Sequence, residues 1–152
     1  MNDTYAAKEI TAALLDVLKA QGLCLKEALR LIEKAEKMAE SIHVPMVITV
    51  VDQGGNMVAM HRMDDSLLAS ISISYSKAYT AAALRAPTED AARDILPGQP
   101  LYGLQQTHPG RCCIFGGGLP IMKHGSLIGG LGVSGGTVEQ DMAVARYALS
   151  AD

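Results

Sequence analysis

The chain has 152 residues, a formal net charge of −3 and 49% hydrophobic residues, with no Trp and one Phe. That is enough for one domain with a real core and too apolar for a disordered chain. It is also too poor in basic clusters and aromatic rings for a nucleic-acid binder. No run of about 18 apolar residues offers a membrane span, and MNDTYAAKEI lacks the basic-then-apolar order of a signal peptide.

The thiols are Cys24, Cys112 and Cys113, an odd number with no Cys-x-x-Cys. They read as reduced cysteines of a cytoplasmic protein. Residues 1–152 read as a single domain, with 1–24 as an N-terminal helical segment at its margin.

Apolar residues Ile10, Ala13, Leu14, Val17 and Leu18 recur at helical spacing across 5–19, and Gly22 ends that segment. A second helix follows, with Leu25, Ala28, Leu29, Ile32, Ala35, Ala39 and Ile42 on one face, and Pro45 closes it. Met46–Asp52 is rich in β-branched residues, Gln53-Gly54-Gly55-Asn56 is a turn, and Met57–Arg62 returns, so the three form a β-hairpin. Residues 66–85 carry Leu68, Ile71, Tyr75, Ala78, Tyr79 and Ala82 at helical spacing until Pro87 breaks the run. Thr88 is placed to cap a short helix over 89–95. The stretch from Pro97 to Gly110 reads as loop, anchored by Tyr102 and Leu104. Arg111–Phe115 reads as a strand, and Gly116-Gly117-Gly118 as a bend. Leu119–Lys123 and Ser126–Val133 read as strands joined at His124-Gly125. Thr137 and Gln140 have capping-box spacing at the start of the last helix, whose apolar face is Val138, Met142, Ala145 and Leu149. Two successive hairpins between helices predict an α+β fold with an antiparallel sheet of about five strands.

Gly132-Val133-Ser134-Gly135-Gly136 matches G-x-S-x-G, yet His43, His61, His108 and His124 all precede Ser134. A nucleophile elbow needs its His after the Ser, so this is better read as a glycine-rich turn whose N–H groups suit an anion. Gly116, Gly117 and Gly118, followed by Leu119 and Pro120, could cradle a phosphate or carboxylate, or simply let the backbone bend. Asp52 and Asn56 flank the hairpin turn, where such side chains cap turns. His61-x-x-Asp64 is too sparse for a metal site. His108 lies in a loop close to the glycine run and is the candidate axial ligand for a metal. Lys77 stands between Tyr75 and Tyr79. It is either a solvated lysine or a partner for a propionate or carboxylate.

Taken in order, several motifs resemble one family. They are Val50-Val51-Asp52-x-Gly54-Gly55-Asn56, Arg62-Met63-Asp64, Lys77-Ala78, Pro97-Gly98-Gln99-x-Leu101-Tyr102-Gly103-Leu104, Phe115–Pro120 and Gly132–Asp141. Over roughly 25–150 the chain resembles the GlcG/HbpS family of small haem-binding proteins. Within it, the chain is most similar to the C-terminal domain of PduO-type cobalamin adenosyltransferases and their stand-alone relatives beside glycerol or diol dehydratases. The resemblance implies a five-stranded, profilin-like arrangement, a homo-oligomer, and haem as ligand, with a corrinoid as second candidate. It implies a pocket lined by Gly116, Gly117, Gly118, Pro120, Ser134, Gly135 and Lys77, to which His108 is added by its own place near the glycine run. The adenosyltransferase domain is absent, so that chemistry does not transfer.

Three readings follow. The first is a tetrapyrrole-binding accessory protein, without catalysis, serving cobalamin-dependent glycerol or diol use. The second is a small enzyme acting on a carboxylate or phosphate, with Asp52, Asp64 and Lys77 as acid–base candidates. The third is a ligand-free structural subunit.

Overall fold

The computed structural model describes residues 6–14 and 22–151. Residues 6–14 are helical (α1). Val17 and Leu18, which complete the apolar face expected for this helix, lie outside the described residues. Then come α2 (Leu25–Ser41), β1 (Val47–Asp52), β2 (Met57–Arg62), α3 (Ser70–Leu84), α4 (Thr88–Ile95), α5 (Leu104–Thr107), β3 (Gly118–Lys123), β4 (Ser126–Ser134) and α6 (Val138–Leu149). Among the described residues no helix is long and apolar enough to cross a membrane.

The sheet is antiparallel with order β2-β1-β4-β3. Side-chain alternation along β1 explains its two coats of helices. Ile48 and Val50 join Leu131 and Val133 of β4 in one core with α2 and α6. Val51 faces the other way, against Ala78 and Ala82 of α3. Thr49 lies on that same α3 face and shares a 2.8 Å hydroxyl hydrogen bond with Ser74.

The face that α3 buries is unusual, because it is built from Ser70, Ser74, Lys77, Ala78, Ala81 and Ala82. The expected apolar face is only half right, and Leu68 is 80% exposed. The partner strand explains the difference. A Cβ on Gly132 would stand 2.0 Å from the Ser74 carbonyl oxygen, and one on Gly130 would stand 2.2 Å from that of Ala78. The helix backbone lies directly on glycine, so small side chains face the sheet and large ones cannot.

Among the described residues the sheet has four strands, not five. Arg111–Phe115 forms no strand. It crosses the outside of α3, where Cys113 N–H donates to Thr80 Oγ1 at 2.9 Å and Ser76 donates to Gly110 O at 3.3 Å. Its polar backbone is thus met by helix hydroxyls rather than by a ladder. The free edge of β3 is also blocked. Val133 N–H donates to Gly117 O, and strand alternation then turns Gly118 and Pro120 to the outer edge. Gly118 N–H donates to Thr88 Oγ1 at 2.9 Å, and Pro120 has no N–H to offer. Thr88 therefore does not cap α4; Pro87 occupies the cap position, without a side-chain bond.

The capping box of α6 is present as expected. Its buried face is rotated, however, to Asp141, Val144, Ala145 and Ala148, while Val138 is 41% exposed.

Candidate functional site

Lys77 is 1% exposed, and its Nζ donates to Asp141 Oδ2 at 2.6 Å and to Val133 O at 2.9 Å. It is a buried, paired lysine and not a solvated one. The bond links α3 to the start of α6, on opposite faces of the sheet, past the end of β4. Gly117 makes the passage possible. With φ 113°, its missing Cβ would stand 3.0 Å from Lys77 Nζ and 2.9 Å from Asp141 Cβ. Asp141 Oδ1 accepts from Gly136 N–H at 3.0 Å. Burial pushes the Asp141 carboxyl up from its ordinary range, against the pull of the Lys77 ammonium and of the Gly136 and Gly135 N–H groups.

The glycine runs are largely filled by the protein's own atoms. A Cβ on Gly116 would meet Met142, one on Gly118 the Lys77 carbonyl oxygen, and one on Gly135 the Pro45 carbonyl oxygen. What stays open is a cavity of about 180 Å3 lined by Leu67, Ala69, Ser70, Ile73, Lys77, Phe115, Ser134, Gly135, Gly136, Val138 and Asp141. Of the expected pocket residues, Lys77, Ser134 and Gly135 meet here. Gly116–Gly118 lie just behind them, and Pro120 is farther along the β3 edge. Asp141, Ser70 and Phe115 complete the group. Asp141 is 64 positions from Lys77 along the chain, and only its place after the capping box hinted at a buried role.

The other candidates stand elsewhere. Asp52 Oδ1 accepts from the N–H groups of Gly54 (2.8 Å) and Asn56 (3.0 Å), the arrangement of a turn cap. Asp64 is exposed after β2. His108 is exposed on the loop that clasps α3, with its ring 6.5 Å from that of Tyr79. The Arg111 guanidinium lies 4.9 Å over the same tyrosine ring, a cation–π contact. The Thr107 hydroxyl donates to Leu104 O at 2.7 Å and lies 2.8 Å from His108 Nδ1. With its proton already given to Leu104, Thr107 Oγ1 can only accept from the ring. Nδ1 is then the donor, which in the neutral ring puts the lone pair on Nε2. Among the described residues no cluster of three or more His, Cys, Asp or Glu could hold a metal ion alone.

The model of the family described as haem degrading protein HbpS-like matches residues 23–150. The chain belongs to the HbpS-like family. A 15.0 kDa protein of the dhaT-dhaS intergenic region of Citrobacter freundii is 49% identical over 127 residues, covering 84% of this chain and 89% of that one. The corrinoid adenosyltransferase PduO of the same organism is 41% identical over 132 residues, but these make up 87% of this chain and only 39% of PduO. Among solved structures, the PduOC:heme complex superposes with a TM-score of 0.82 at 39% identity, covering 84% of this chain and 93% of that one.

Small-molecule pockets span roughly 300–1,000 Å3, and the cavity beside Ser134 is smaller and has no imidazole in its lining. The grouping of His108, Tyr79 and Arg111 offers what the cavity lacks, namely a nitrogen lone pair, an aromatic ring and a guanidinium on open surface. These residues fit a tetrapyrrole bound at the surface.

Proposed function

We propose that this protein binds a haem-type tetrapyrrole on the loop that crosses α3, with His108 Nε2 as the iron ligand and Arg111 pairing with a propionate. The observation that carries the reading is the Thr107 contact, which gives Nδ1 an acceptor and so favours, in the neutral ring, the Nε2 lone pair that iron accepts. The relative solved as a haem complex supports haem as the ligand. Tyr102 and Leu101, 65% and 48% exposed on the same loop, supply apolar area. A second copy of the chain covers the outer face of the ring, which makes self-association part of the proposal. The place of service we propose is cobalamin-dependent glycerol or diol use. It is supported by one relative from the dhaT-dhaS region and another that is a corrinoid adenosyltransferase.

Haemin titration followed by absorbance tests the reading. A saturable Soret shift is expected, which His108→Ala weakens and Lys37→Ala leaves unchanged. Arg111→Ala is expected to raise the haemin concentration at half-saturation without changing the final spectrum. A drift without saturation, or an identical spectrum for His108→Ala, sinks His108 as the ligand. Saturation by cobalamin in place of haemin would move the proposal to a corrinoid.

A further inference from the structure

The cavity beside Ser134 holds chemistry that surface tetrapyrrole binding does not use. Lys77 Nζ has three hydrogens and donates two, to Asp141 and to Val133 O; the third has no acceptor among the described residues. Ser134 donates to Ser70 at 3.2 Å, which leaves the Ser70 hydroxyl proton without an acceptor there too. Both side chains line the cavity. An occupant should therefore offer a lone pair.

That occupant need not be an anion. The negative charge that a helix start attracts is already built in, because the Asp141 carboxylate takes the Gly136 N–H ahead of α6. The mouth is apolar, with Leu67 63%, Phe115 55% and Val138 41% exposed. A short aldehyde suits both ends: its carbonyl oxygen meets the two donors, and its alkyl chain meets the rim. Its carbonyl carbon then faces a primary amine whose neighbour is a carboxylate.

We propose that Lys77 forms a reversible imine with a short aldehyde in this cavity. Asp141 takes a proton from the Lys77 ammonium, and the freed nitrogen lone pair bonds to the carbonyl carbon. The carbonyl π pair moves to oxygen, which takes the proton back from Asp141. Asp141 next removes a second proton from nitrogen and passes it to the hydroxyl. The C–O bond breaks, water leaves, and the nitrogen lone pair closes the C=N bond. One aldehyde and one ammonium become one protonated imine and one water, with no oxidant or reductant. The positive charge stays opposite Asp141, so the ion pair survives the reaction. The raised carboxyl of Asp141 suits it to hold the proton in transit.

The test is propanal with cyanoborohydride on the full-length protein, read by peptide mass spectrometry over time. Label is expected at Lys77 ahead of the exposed Lys26 and Lys37, and added inorganic phosphate should not slow it. Val138→Trp is expected to close the mouth and abolish label at Lys77, with circular dichroism unchanged. Leu67→Trp serves the same purpose should Val138→Trp fold poorly. Label on Lys26 and Lys37 with none on Lys77 overturns the proposal. So does a correctly folded blocked variant that labels at Lys77 as fast as the parent, or competition by phosphate.

Discussion

At the residue scale the Lys77–Asp141 pair dominates. Asp141→Asn keeps the shape of the side chain but leaves a buried ammonium without a counter-charge. Breaking a buried pair from one side costs about 3–5 kcal/mol, so chemical denaturation should show a much lower midpoint. The double variant Lys77→Met, Asp141→Leu is expected to recover much of that loss, because it removes both charges together. The three thiols form a second residue-scale test. Cys24 is exposed, whereas burial pushes the Cys113 thiol up, so its reactive thiolate is scarcer at any given pH. Timed alkylation of the native protein should modify Cys24 first and Cys113 last. Equal rates would mean that the segment beneath the clasping loop opens freely. Neither charged partner of the buried pair could be matched to the other from sequence. They sit on different helices, and hydrophobic spacing says nothing about two charges that meet through a gap left by glycine. His108 was a candidate in the sequence because its loop lies close to the glycine run, while the donor role of its Nδ1 follows only from the Thr107 geometry.

At the element scale the boundaries of most helices and strands were readable, and the faces were less so. The turn chemistry of Gln53–Asn56 and of His124-Gly125 located both hairpins, and the Thr137 box located α6. The face of α3 was misread because the usual rule assumes an apolar partner of ordinary size, and here the partner is glycine backbone on β4. The same contact predicts the effect of Gly132→Ala. A methyl group there cannot fit beneath the Ser74 carbonyl, so the helix must lift. Overpacking of this kind costs about 1–3 kcal/mol, occasionally more. Thermal unfolding should register it, while Gly98→Ala, in open space, loses only what its positive φ demands. The segment 111–115 has strand-like composition, yet its neighbours decided its fate. With Thr88 and Pro120 on the outer edge of β3, no ladder was available, and the hydroxyls of Ser76 and Thr80 drew the chain over α3 instead.

At the scale of the whole molecule, four strands lie between α3 on one face and α2 with α6 on the other. The α+β class and the antiparallel pairing were legible, since two hairpins between helices allow little else. The strand count was not, because an edge is defined by what blocks it. Ile10 and Leu14 of α1 are 61% and 58% exposed, an apolar stripe left uncovered among the described residues. If copies associate as proposed, light scattering should give a mass above that of one chain, and Leu14→Asp should shift it downward. A single-chain mass under all conditions removes self-association and leaves the proposed haem surface open to water.

The outer edge of β3 also shapes how copies can grow together. A strand arriving there from another molecule would find one donor already spent on Thr88 and the next replaced by Pro120. Templated stacking of the fibrillar kind needs an unbroken row of donors. That edge of the sheet is therefore a poor template for open-ended strand addition.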